Sequence, residues 1–248
     1  MSAAYGQYLE ALGIDLFVPR GARAAAVAPA AAAAPVATPV PVRAPAAADD
    51  PAWAQLEGEV SVCTKCALSR SRTQTVFGVG NRRTELLLIG EAPGAEEDAR
   101  GEPFVGRAGQ LLNAILRGMR WPRPTVYIAN VLKCRPPNNR DPSPEESACC
   151  TPYLHRQIEL IQPLMILAVG RIAAQNLLAS EAPIGKLRGV VHRYGPRQTP
   201  LIATYHPSYL LRSPGEKRRV WDDMKFLKAE LARLRAAASP GSGSGGAA

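Results

Sequence analysis

The chain has 248 residues, 46% hydrophobic and 21% charged, which is enough for one sizeable core plus appendages. Lys and Arg outnumber Asp and Glu by 30 to 21, a net charge of +9, and the first fifty residues hold none of that excess. No apolar run approaches the roughly 20 residues that a bilayer span needs, and the alanine stretch at 24–34 is weakly apolar and broken by Pro29, which argues against reading it as a signal peptide.

Residues 5–18, YGQYLEALGIDLFV, put Tyr5, Tyr8, Leu9, Leu12 and Leu16 roughly on one helical face. Residues 1–20 therefore read as a short motif that docks a protein partner, with an unpartnered terminal helix as the rival reading. The Ala, Pro and Val of 21–50 form a linker that cannot build a core. The folded, basic domain is expected over 51–234, followed by a flexible tail over 235–248. Its charge points to a polyanion, nucleic acid being the commonest, against the alternative of a merely soluble basic protein.

Within that domain four apolar runs predict strands: 85–89 (ELLLI), 126–129 (VYIA), 164–169 (LMILAV) and 201–204 (LIAT). Helical spacing predicts helices at 109–119, 144–161, 171–179 and 216–234, with Ser143 as N-cap and Pro144 at the first helical position of the second. Uniformly apolar strands alternating with helices predict a three-layer α/β/α fold around a central four-stranded parallel sheet.

The polar residues fall just after those strands. Gly90-Glu91-Ala92-Pro93-Gly94 follows the first, Asn130 the second, Gly170-Arg171 the third and His206-Pro207-Ser208 the fourth. In a parallel sheet these positions share one edge, where open α/β sheets bind ligands. Singly, each is an ordinary turn or cap residue; together they suggest a site. The loop at 90–94 lacks the GxxxxGK[ST] pattern and carries carboxylates that would repel phosphate. The set suits a neutral polar ligand.

The five cysteines, Cys63, Cys66, Cys134, Cys149 and Cys150, are odd in number and include a CxxC pair. With no secretory signal this argues for a reducing compartment and metal ligation. By spacing alone, four thiolates suit zinc or a [4Fe–4S] cluster.

The motifs GEAPGAEED at 90–98, GEPFVGRAGQLLN at 101–113, NVLKCRPPNNRDPSPEE at 130–146 and HPSYLLR at 206–212 resemble the family 4 uracil-DNA glycosylases, iron–sulfur repair enzymes of bacteria and archaea. The resemblance covers about 53–234. It implies a monomeric, cytoplasmic and nucleoid-associated enzyme that flips uracil out of DNA and hydrolyses its N-glycosidic bond. Carried over, Phe104 stacks on uracil, Asn130 binds its Watson–Crick edge, Glu91 and Ala92 line the pocket, and Glu97 lies near C5. His206 faces O2, Leu210 enters the gap in the duplex, and Arg212 holds a phosphate. Glu91 is the first choice to orient water, Glu97 the second. Other branches of the superfamily place Asp or Asn where this chain has Ala92, so water activation by that route is closed. The resemblance also selects a [4Fe–4S] cluster on Cys63, Cys66, Cys134 and Cys150, leaving Cys149 spare, with Cys149 in place of Cys150 as the alternative. A related branch that links covalently to DNA carries a KRRIH-like loop. Here KRRVW at 217–221 comes after the HPSYLLR motif and lacks the histidine, so turnover is implied.

Two rival readings remain at this level. One is a non-catalytic DNA-binding or partner-docking module that keeps the fold and the cluster. The other is a zinc-stabilised deaminase-like enzyme, disfavoured because no H-x-E motif accompanies the cysteines.

Overall fold

Four parallel strands occupy the middle of the sheet, as the apolar runs predict. The computed structural model describes residues 51–238; the patterned island, the linker and the end of the tail lie outside the described residues, and with them the docking expectation for 1–20. The strands are β1 (Val79–Gly80), β2 (Leu86–Gly90), β3 (Tyr127–Asn130), β4 (Met165–Val169), β5 (His192–Tyr194) and β6 (Thr199–Thr204), in the order β1-β3-β2-β4-β6-β5. The inner four, β3-β2-β4-β6, are parallel. The sheet is larger than the expected four strands, because β1 and β5 add antiparallel edges. Neither edge carries an apolar run. β1 is two residues long between Gly78 and Gly80, both at positive φ, and β5 reads His-Arg-Tyr with exposed and half-buried positions. Short polar edges also resist pairing with other chains.

Period-two alternation splits the sheet into two apolar faces. Leu87, Ile89, Ala129, Ile166, Ala168, Leu201 and Ala203 face one way. They meet α1 (Pro51–Ser61), α4 (Pro144–Ile161) and α5 (Arg171–Leu178) through Trp53, Leu56, Leu154, Ile158 and Ala173. Leu86, Leu88, Ile128, Met165, Leu167 and Ile202 face the other way. They meet α3 (Arg107–Gly118), α7 (Pro207–Arg212) and α8 (Lys217–Ala238) through Leu112, Leu116, Leu210, Met224 and Leu227. The result is a three-layer α/β/α sandwich. Short helices α2 (Ala95–Arg100) and α6 (Ile184–Leu187) complete it. The predicted cap is present: Ser143 accepts from the Glu146 amide, Glu146 reaches back to the Ser143 amide, and Pro144 opens α4. The closing helix runs to Ala238, four residues past its expected end.

The order places β2 between β3 and β4, so the chain leaves β2 to one side and returns on the other. A crevice opens at such a switch point, outside the carboxyl ends of the strands.

Candidate active site

A cavity of about 260 Å³ sits in that crevice, walled by Glu91, Ala92, Glu97, Phe104, Asn130 and His206. All six residues expected at a base-binding pocket therefore meet. The loop from Pro136 to Arg140 and Ser208 form its rim.

Asn130 ends β3 opposite Gly90 of β2 and is 2% exposed. Its side-chain Oδ1 is buried and has no hydrogen-bond partner. Buried amide oxygens are seldom left so. Its main-chain carbonyl accepts a 2.8 Å bond from Lys133 Nζ, which also donates to Gln157 Oε1 at 2.6 Å. Gln157 in turn donates to the Phe77 carbonyl at 3.0 Å. Burial pushes the Lys133 ammonium down to about 7. This chain of bonds fixes the end of β3 from behind.

Phe104 shares the space above Gly90. A Cβ at position 90 would fall 2.4 Å from Asn130 Oδ1 and 2.6 Å from Phe104 Cζ, so only glycine lets the amide and the ring converge. Phe104 has φ 55°, a left-handed conformation that costs a side-chain-bearing residue roughly 1–2 kcal/mol. The Glu97 carboxylate holds the following turn: Oε1 accepts from the amides of Val105 at 2.9 Å and Gly106 at 3.0 Å, and Oε2 from Gly94 at 3.1 Å. Glu97 thus lines the cavity as expected, with both oxygens engaged in shaping the loop that presents Phe104.

His206 caps α7. Its Nδ1 accepts from the Ser208 amide at 3.2 Å and lies 2.7 Å from Ser208 Oγ. A backbone amide can only donate, so the ring proton sits on Nε2. Burial pushes the imidazole down to about 4, the Arg212 charge adding to the effect and Glu97 opposing it. His206 is therefore a neutral donor at physiological pH. Its ring stands 5.5 Å from that of Phe104, tilted by 32°. Gly170, at φ 101°, leaves room for it: a Cβ there would lie 2.9 Å from His206 Cβ. Glu91, half-buried, is pushed up to about 7 by burial and then by Asp141, with Arg171 acting against both.

One placement differs from expectation. Leu210 is 0% exposed and packs in the core between α3 and α8, whereas Leu211 is 39% exposed. The cause is helical geometry: α7 starts at Pro207, and Pro207 and Leu210, three apart, form its inward face. Leu211 is the leucine available to a duplex. Arg212 is exposed beside it.

The thiols gather on the far side of Ala92. Cys134 and Cys150 are buried with Leu68 and Leu132, and Cys66 and Ala92 pack against them. Cys134 is within electrostatic reach of Cys66 and Cys63, and Cys150 of Cys134 and Cys66. Burial pushes the Cys134 thiol up and Cys150 up to about 11. Arg72 Nη1 donates to the Cys63 carbonyl at 2.8 Å and to Cys134 Sγ at 3.1 Å. Cys149 turns out of the set and donates to the Lys65 carbonyl at 3.4 Å. Among the described residues no three His, Cys, Asp or Glu side chains close tightly enough to hold a single metal ion. Arg72 and Lys133 carried no signal in the sequence, where each reads as an ordinary surface cation.

The model of the uracil DNA glycosylase superfamily matches residues 77–225. The type-4 uracil-DNA glycosylase of Archaeoglobus fulgidus is 47% identical over 176 residues, 68% of this chain and 88% of that protein. The type-4 enzyme of Thermotoga maritima is 48% identical over 174 residues, 68% of this chain and 90% of that protein. The type-4 enzyme of Sulfurisphaera tokodaii is 40% identical over 185 residues, 72% of this chain and 84% of that protein.

Gly90→Ala tests the packing of the cavity. The added methyl must displace Asn130 or Phe104, and the variant is expected to lose about 1–3 kcal/mol of stability, the usual cost of overpacking. Chemical denaturation measures it; an unchanged midpoint would mean that the wall has slack.

Proposed function

The chain belongs to the uracil DNA glycosylase superfamily, and from that premise we propose that it excises uracil from DNA by hydrolysing the bond between the base and its deoxyribose, leaving an abasic site. The observation that carries this reading is the unpaired, buried Asn130 Oδ1 facing a cavity shared with Phe104 and His206.

Uracil offers a donor at N3 and an acceptor at O4. Asn130 Oδ1 accepts a hydrogen bond from N3–H, and its amide NH2 donates to O4. Cytosine reverses that polarity and leaves buried groups unpaired, at about 1–3 kcal/mol each. Phe104 stacks on the flipped ring, a contact worth about 1–3 kcal/mol. Glu97, pinned by three backbone amides, is a wall that does not yield to the methyl of thymine. Leu211 fills the gap in the stack and Arg212 takes a phosphate.

As the glycosidic bond breaks, its electron pair passes to uracil and spreads onto O2. The Nε2–H of His206 donates to that oxygen, a contribution of about 3 kcal/mol for a well-placed oxyanion donor. Water adds to the cationic sugar carbon. Glu91, ionised, orients that water and accepts its proton.

Cys63, Cys66, Cys134 and Cys150 would hold a [4Fe–4S] cluster. Support comes from the donor chemistry: four thiols from three segments, two of them buried where a lone thiolate is disfavoured, and two cations, Arg72 and Lys133, close by to offset negative charge. When bound, the cluster supplies a cross-link between the segment before β2, the loop after β3 and α4; hydrolysis needs no electron from it.

Release of free uracil from a uracil-containing oligonucleotide is the direct assay. His206→Ala is expected to lower kcat by about 10²–10³-fold, the usual loss of an oxyanion donor. DNA binding without uracil release by the parent would favour the non-catalytic reading instead.

The pH profile separates the two titrating groups. His206 stays neutral above about 4 and Glu91 ionises near 7. An acid limb of kcat near pH 7 is expected to vanish in Glu91→Gln; a limb that survives the substitution would remove Glu91 from the chemistry.

Purified protein is expected to be brown. Cys150→Ser should lose both colour and iron, while Cys149→Ser should keep them; iron analysis decides, and the opposite pattern would exchange their roles.

A further inference from the structure

Phe104 holds a left-handed backbone, and its ring orientation depends on whatever secures that turn. Glu97 grips the amides on one side. On the other side lies Arg123, the first residue of the turn between α3 and β3, with a side chain four-fifths buried. Its Nη2 donates to the Pro103 carbonyl at 2.6 Å and to Glu102 Oε1 at 3.0 Å. Its Nη1 donates to the Phe104 carbonyl at 3.3 Å and to Asn113 Oδ1 at 3.1 Å. One planar guanidinium thus collects two successive main-chain carbonyls, a carboxylate and an amide. Such forked, multiple donation is what Arg provides and Lys does not.

We propose that Arg123 is a positioning residue for base recognition: by gripping the carbonyls of Pro103 and Phe104 it fixes the Phe104 ring where a flipped base stacks. The proposal rests on the reading of Phe104 as the stacking face. The turn carrying Phe104 is then held by opposite charges, a carboxylate on the amides that follow it and a guanidinium on the carbonyls at and before it. Arg123 also closes the ends of α3 onto each other, because Pro103 and Phe104 precede that helix and Arg123 follows it. Gly109, in the first turn of α3, admits the Phe104 carbonyl; a Cβ there would fall 1.9 Å from that oxygen. The carbonyl is therefore confined between α3 and the guanidinium, and the ring has little freedom left. Arg123 touches no reacting atom and acts only through Phe104.

A double-mutant cycle tests this. Arg123→Gln, Arg123→Lys and Phe104→Ala, with the combinations, are assayed for kcat, KM, inhibition by free uracil and thermal midpoint. In the parent background Arg123→Gln is expected to weaken uracil inhibition and lower kcat/KM by roughly ten- to a hundredfold, the scale of a misplaced binding group. Arg123→Lys, which keeps the charge but not the fork, should recover only part. In the Phe104→Ala background neither substitution should cost anything further. Equal losses in both backgrounds would overturn the proposal, because a merely structural Arg123 harms the enzyme whether or not the ring is present. Should Arg123→Gln not fold, the same comparison with Arg123→Lys decides. If Phe104→Ala alone leaves uracil inhibition and kcat/KM unchanged, the stacking reading falls first and the positioning proposal with it.

Discussion

The convergence of Asn130 and Phe104 over the bare α-carbon of Gly90 is the constraint on which the site depends. Parallel pairing sets Gly90 and Asn130 side by side at the carboxyl ends of β2 and β3. The missing side chain at 90 then lets an amide and an aromatic ring occupy the space that a methyl group there would need. Everything else about the cavity is arranged to keep those two groups in place at a cost to stability. Asn130 Oδ1 is buried without a partner, Phe104 is left-handed, His206 is held neutral by burial, and Lys133 is sealed behind them. Strain of this kind persists only where the surroundings over-determine it. Here the surroundings are specific: Glu97 and Arg123 on the loop, Gln157 and Lys133 behind the strand, and the α7 cap on the imidazole.

The inner sheet was legible because its four buried strands are short, nearly continuous apolar runs that alternate with helical patterns. The two edge strands were not, since β1 is a glycine-flanked pair and β5 a polar triplet, each ordered by its neighbour and not by its own composition. At the site, strand-end positions together with the motif resemblance located six of the cavity's walls. Leu210 was assigned to the duplex gap by motif resemblance, which does not fix the facing of a side chain; with Pro207 as the first helical residue, spacing sends 210 inward and 211 outward. Arg123, Arg72 and Lys133 were invisible for a common reason. Each makes a side-chain bond to a segment remote in sequence, 19 residues away for Arg123 and Phe104, 24 for Lys133 and Gln157 and 62 for Arg72 and Cys134, and no local pattern records such a partner.

The thiol group and the cavity are not separate assemblies. Ala92 lines the cavity and packs against the buried cysteines. Lys133 lies between Asn130, whose carbonyl it holds, and Cys134, its neighbour in sequence. A cross-link at the cysteines would therefore stiffen the loop after β3 at its root, four residues from the amide proposed to read the base. The structural role proposed for a cluster there would then bear on recognition without any part in bond cleavage.

Burial, and not a neighbouring charge, is the larger cause of the neutral imidazole at 206. Arg212 adds to that effect, yet Arg212 is exposed and is the side chain expected to meet phosphate. Were it the main cause, binding DNA would screen it and let the imidazole take up a proton as substrate arrived. Because desolvation dominates, screening of Arg212 does not by itself charge the imidazole, and His206 meets an incoming ligand as a neutral donor. The helix cap on Nδ1 keeps the remaining proton on Nε2, so the fold fixes both the charge and the tautomer before the substrate enters. On the role proposed for His206, stabilisation of the leaving uracil is then built into the resting protein, which is where preorganised electrostatics is most effective.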